Sequence, residues 1–118
     1  MNKLELVELT EEIWESLLIL FSTRKGERIT NPDFGCAVHD LILDPINPLT
    51  MKLIEEAIRE AVFSYEPRID IDEINVVHEE YEGIIRANMS YTIRKVNVRT
   101  NIVYPFYKLE ASDAIDVD

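Results

Sequence analysis

Apolar side chains recur at helical spacing in two stretches of the chain, and at strand spacing in a third. Ile13, Trp14, Leu17, Leu18 and Phe21 define the first apolar face. Thr10 followed by Glu11 and Glu12 predicts the start of this helix. The hydroxyl can accept from an orphan amide, and the acids lie at the positive end of the helix dipole. The helix is expected to fade near Ser22. Arg24-Lys25-Gly26-Glu27-Arg28 then reads as a charged turn, where only Gly26 takes a positive φ without cost. Pro32, Gly35, Pro45 and Pro48 break up residues 29–50, leaving Val38 to Leu43 as the one piece able to form a turn of helix.

The second helix is capped by Asn47 or Thr50, with Pro48 in its first turn. Leu53, Ile54, Ala57, Ile58, Ala61, Val62 and Tyr65 form its core stripe, and Pro67 ends it by forcing Glu66 into an extended conformation. From there the period shortens to two. Ile69, Ile71 and Ile74 to Val77 read as a first strand. Tyr81-Glu82-Gly83 is a hairpin connection with Gly83 at the unusual backbone position. Ile85, Ala87, Met89, Tyr91 and Ile93 alternate with polar residues in a second strand. A third runs through Val96, Val98, Thr100, Ile102 and Tyr104, alternating with Asn97, Arg99, Asn101 and Val103. Pro105, lacking a donor, belongs at an edge or a strand end. Helices followed by strands predict an α+β fold, with two main helices packed on a small antiparallel sheet of three or more strands. A single domain over residues 1–109 and an acidic, frayed tail over 110–118 are expected.

Composition narrows the function classes. The 118 residues carry 12 Lys and Arg against 23 Asp and Glu, a formal charge of −11. That balance disfavours nucleic-acid and anionic membrane surfaces as partners. The longest unbroken apolar run, Leu17 to Phe21, falls far short of the ~20 residues needed to span a bilayer. The N-terminus lacks the layout of a signal peptide, so a cytoplasmic location is expected. Cys36 is the only cysteine, and His39 and His78 stand apart, so neither a disulfide nor a metal site is expected. Cys36 reads as a small buried side chain and His78 as a half-buried strand residue. Gly26, Gly35 and Gly83 match no nucleotide-binding fingerprint, and no cofactor is expected. A catalytic carboxylate pair carries little weight where 23 acids make close pairs inevitable.

Two constellations stand apart from this background. One is Thr23-Arg24-Lys25-Gly26-Glu27-Arg28 with Asn31-Pro32-Asp33-Phe34-Gly35, which also reads simply as a charged turn with Phe34 tucked into the core. The other is Tyr65-Glu66-Pro67-Arg68-Ile69. In an extended segment residues i and i+2 project to the same side, so Glu66 and Arg68 present an acid and a planar donor fork together. They can recognise a partner or tie the helix end to the sheet.

At these residues the chain resembles the gene-25-like family of phage baseplate wedge proteins, which includes phage baseplate protein W and the TssE component of type VI secretion. The resemblance rests on Thr23-x-x-Gly26-Glu27-Arg28, Asn31-Pro32-x-Phe34-Gly35, Glu66-Pro67-Arg68 and Val103-Tyr104-Pro105-Phe106, in that order across residues 13–107. It implies a non-enzymatic structural role in the baseplate wedge of a contractile injection machine. Glu66, Pro67 and Arg68 inherit the family's wedge-binding element, which holds the helical core bundle. Thr23, Gly26, Glu27, Arg28, Pro32, Phe34 and Gly35 form the family's motif turn. Val98, Thr100, Ile102 and Tyr104 lie on the strand implied to initiate the contractile sheath by strand pairing, with sixfold symmetry arising only in the assembled baseplate. Two other functions attach to this fold by resemblance: a regulatory binding module of the anti-adaptor type, and a lysozyme-like peptidoglycan hydrolase.

Overall fold

A computed structural model describes residues 1–108 of the chain; the tail expected over 110–118 lies outside the described residues. The order is α1 (Lys3–Ser22), α2 (Val38–Leu41), α3 (Pro48–Tyr65), β1 (Ile69–Glu79), β2 (Ile84–Ile93) and β3 (Val98–Tyr107). The strands form one antiparallel sheet in the order β1-β2-β3.

The helix expected from Thr10 starts seven residues earlier. Asn2 caps it, its side chain accepting from the Glu5 amide at 2.8 Å, and Thr10 instead turns its hydroxyl back to the Leu6 carbonyl at 2.8 Å. Residues 3–9 are mostly Leu, Glu and Lys, strong helix formers, so the earlier cap prevails over the later one. Asn47 caps α3, accepting from the Thr50 amide at 2.9 Å. Glu66 closes α3 in a non-helical conformation (φ −135°, ψ 72°) immediately before Pro67. In the α3 stripe Ile54, Ile58, Ala61 and Val62 are buried, Ala57 and Tyr65 half-buried, and Leu53 stays 40% exposed at its rim.

In β1 the buried isoleucines change phase, Ile69 and Ile71 being odd and Ile74 even. The ladder explains this: Ile71 pairs with Tyr91 and Glu73 with Ser90, leaving Asp72 as the extra residue of a bulge. Without the bulge, Ile74 and Val76 would face solvent. Gly83 closes the hairpin in the left-handed region at φ 64°, and Asn97 does the same at φ 54° in the next turn. Asn97 is therefore a turn residue, and the third strand starts at Val98 instead of Val96. It runs through Pro105, which is accommodated on an edge strand opposite Arg86.

One face of the sheet meets the helices in cross-strand rows, among them Ile74–Met89–Ile102 and His78–Ile85–Phe106. Ile13, Leu17, Leu20 and Phe21 of α1 and Ile54, Ile58 and Val62 of α3 cover these rows. Phe21 lies edge-on to Tyr104, with ring centroids 5.7 Å apart. Each fully buried aliphatic or aromatic side chain contributes about 1.5–3 kcal/mol. The opposite face is mixed: Thr92 donates to the bulge residue Asp72 at 2.7 Å and Arg94 pairs with Asp70, while Val77, Ile84, Val103 and Tyr107 lie toward the hairpin end.

Candidate functional site

The turn after α1 is built by residues that serve its backbone. The Thr23 hydroxyl donates to the Ile19 carbonyl at 2.6 Å, and the Thr23 carbonyl accepts from the Cys36 amide at 2.9 Å. This brings Gly35 against the chain. A Cβ there would lie 2.7 Å from the Thr23 oxygen, at a φ of +134° that also excludes other residues. Gly26 (φ 88°) donates to the Pro32 carbonyl at 2.7 Å, and Glu27 accepts from the Arg24 amide at 3.2 Å. Thr23, Gly26, Glu27, Pro32 and Gly35 thus shape the loop. Arg28 and Phe34 are what it presents: the guanidinium lies 4.2 Å over the Phe34 ring, which meets Tyr65 edge-on at 5.1 Å.

Tyr65 leads directly into Glu66-Pro67-Arg68, so the two constellations meet. Arg68 grips Glu66 with two parallel bonds of 2.7 and 2.9 Å, in the geometry a guanidinium offers a carboxylate. The pair lies within the chain. Glu66 is buried, while the Arg68 side chain is 38% exposed and also reaches Glu12 at 3.0 Å and the Ser16 hydroxyl at 3.1 Å on α1. Its pKa is raised further, chiefly by the bond to Glu66. Arg68 therefore ties α1 and the end of α3 to the start of β1.

Above this clamp opens a groove of about 390 Å³, walled by Ser16 and Ile19 of α1, Arg28 and Phe34 of the turn, and Tyr65 and Pro67. Pro67 is exposed at its floor, and Ile19 is 49% exposed at its wall. The sequence reading missed Glu12, Ser16 and Ile19 as site residues. Their signal was a second helical row, with Glu12, Ser16 and Ile19 at four- and three-residue steps.

On β3, Thr100 and Val98 line the inner side, Ile102 is fully enclosed and Tyr104 packs on Phe21. Ile102 belongs to the core and Tyr104 packs against it, while Val98 and Thr100 are half-buried at its margin. What β3 offers outward is main chain, since among the described residues no main-chain bond reaches its outer edge. Elsewhere, burial pushes the Cys36 thiol up to about 11, and His39 shares a 2.7 Å hydrogen bond with the Phe21 carbonyl. Neither forms a nucleophile pair. Among the described residues no three His, Cys, Asp or Glu side chains gather as a metal site, and no helix is long and apolar enough to cross a membrane.

Residues 7–98 match the family described as baseplate wedge protein gp25. Over 80 residues, 66% of the chain, the sequence is 41% identical to baseplate wedge protein gp25 of Enterobacteria phage T4, and the match spans 61% of that protein's length. Among solved structures, a Geobacter sulfurreducens protein provisionally described as a tail lysozyme is 40% identical. It superposes with a TM-score of 0.81 over 87% of this chain and 94% of its own. A chain of a type VI secretion baseplate complex shares the fold at 15% identity, with a TM-score of 0.73 over 90% of this chain and 98% of its own. A chain of the anti-feeding prophage baseplate does so at 21% identity, with a TM-score of 0.57 over 91% and 76%.

Proposed function

The chain belongs to the family of baseplate wedge protein gp25, and on that premise we propose that it is a structural, non-enzymatic wedge component of a contractile injection machine. It assembles in the cytoplasm, binds the helical wedge core through the groove over Glu66-Pro67-Arg68, and adopts sixfold symmetry only in the assembled baseplate. The observation that carries this reading is the convergence of both sequence constellations on one surface. Arg28 and Phe34 arrive from one side, Tyr65 to Arg68 from the other, and Ile19 adds apolar area beside them.

The intrachain clamp refines the role of the Glu-Pro-Arg motif. Glu66 positions Arg68, and Arg68 presents its exposed side, with Pro67 and Arg28, to a partner. Arginine and aromatic anchors next to an apolar wall suit a helical partner carrying carbonyls or carboxylates at a helix end. In the same reading the free edge of β3 receives a strand of the first sheath ring through main-chain bonds, with Val98, Thr100, Ile102 and Tyr104 holding the strand from beneath.

A peptidoglycan hydrolase would require two carboxyl groups facing across a cleft, one of them free to give up a proton. Among the described residues Glu66 is the only buried acid, and both its oxygens accept from Arg68.

The test is co-purification of tagged protein from its native cells. Wild type is expected to bring down baseplate wedge proteins, and Ile19→Glu to lose them by tenfold or more with an unchanged circular dichroism spectrum. Retained wedge proteins on the folded variant would remove the groove from the interface.

A further inference from the structure

Helix α1 carries an apolar row of which Leu4, Val7 and Trp14 serve neither the core nor the groove, while Leu18 at its end packs against the core. Leu4 is 67% exposed, Val7 44% and Trp14 45%, and Leu18 is half-buried. At 100° per residue these four fall within about 80° of arc, in a row about 21 Å long. The row lies about 140° round the helix from Glu12 and Ser16, which face Arg68. It borders the core face, whose buried members are Ile13, Leu17, Leu20 and Phe21, on the side of Phe21. The N-terminal half of α1 buries no residue fully. The fold therefore does not account for large apolar side chains at positions 4, 7 and 14.

The spacing is that of a heptad seam, with one interruption. The position between Val7 and Trp14 is Glu11, in line with the row. Glu8 and Glu15 border it on the solvent side, and Glu5 and Glu12 lie beyond, against Lys3 as the only cation of the helix. Of these five acids only Glu12 is engaged in an ion pair among the described residues. Two copies of α1 laid together would oppose acid to acid along the whole seam, so a second copy does not fit. An apolar seam edged and interrupted by carboxylates calls for the opposite pattern: apolar residues at heptad spacing, Lys or Arg on the flanks, and a cation facing Glu11.

We propose that this face of α1 docks a basic amphipathic helix of another protein, with Trp14 as its central anchor and Glu11 selecting the register. The pairing resembles a short two-helix coiled coil, in which one polar position fixes alignment and flanking charges choose the partner. This surface is distinct from the Glu66-Arg68 groove, and the inference does not depend on the wedge reading.

Trp14 is the sole tryptophan, which makes the seam its own reporter. The probe is a synthetic 21-residue helical peptide without tryptophan, carrying Leu at heptad positions and Lys or Arg on its flanks. Titration is expected to shift Trp14 emission to the blue and protect it from acrylamide. Val7→Glu and Glu11→Lys should each weaken binding at least tenfold with unchanged helicity. The same peptide with Glu flanks should leave the emission unmoved. The proposal fails if a basic peptide with its Leu residues replaced by Ala binds equally well, which would reduce the effect to bulk charge. It fails equally if Trp14 becomes buried on concentrating the protein alone, or if Val7→Glu leaves the titration unchanged.

Discussion

Glu66 and Arg68 show how two residues take on a meaning that neither has alone. Glu66 is buried, and its charge is tolerable because both oxygens are occupied by one guanidinium. Removing that guanidinium leaves a buried carboxylate with no donors, whereas neutralising Glu66 first removes the need for it. Arg68→Ala is expected to lower stability by about 2 kcal/mol, the exposure of Arg68 keeping the figure below that of a fully buried pair. Glu66→Gln should also destabilise the wild type by about 1 kcal/mol, yet recover stability in the Arg68→Ala background. Urea unfolding of the four proteins measures this coupling. Losses that add to within about 0.5 kcal/mol would mean the clamp contributes nothing. The motif turn obeys a different logic at this scale: Gly35 is set by the absence of room for a Cβ, and Gly26 by its positive φ.

At the scale of elements, the sequence disclosed kinds and ends better than beginnings. Pro67 stopped α3 where expected and Gly83 turned the hairpin, because each acts through its own backbone geometry. The start of α1 was misplaced because two polar residues, Asn2 and Thr10, can both cap, and only the helix-forming run between them decides. The bulge at Asp72 was legible as a phase change between Ile71 and Ile74, though an alternating pattern hides it unless the parity is followed. The clamp itself was half legible: the spacing of Glu66 and Arg68 put them on one side, but their third partner, Glu12, lies 56 residues away. For β3 the sequence identified the strand, whereas the outward main-chain edge emerges only from the sheet order. Neighbouring residues of an antiparallel strand aim their amides at opposite edges. One of Thr100→Pro and Asn101→Pro is therefore expected to block sheath assembly on the folded subunit while sparing wedge binding. Normal sheath assembly with both proline variants folded would end the strand-pairing reading.

The whole molecule is elongated, 52 × 32 × 24 Å, and most of its cations are taken up in ion pairs at its surface. Of the 12 cations in the chain, Arg24, Lys25, Lys52, Arg59, Arg68, Arg86, Arg94 and Arg99 are held in ion pairs within the fold. The surplus of acids faces outward. In the proposed assembly that surplus keeps a subunit with an open strand edge apart from its copies and favours partners whose contact surfaces are basic. Arg28, resting on Phe34 at the mouth of the groove, is a cation outside those ion pairs, presented outward beside Pro67 and Arg68. In the proposed assembly, Arg28 and the exposed side of Arg68 give a wedge helix one place on an acidic body to direct its carbonyl end.

Hydrogen–deuterium exchange on the free subunit and on its complex with the co-purified wedge proteins tests that claim most directly. Amides of residues 24–35 and 65–69 are expected to exchange at least tenfold more slowly in the complex, with the β3 amides unchanged until sheath is added. Protection elsewhere in the wedge complex, with those two segments exchanging as in the free protein, would contradict the account.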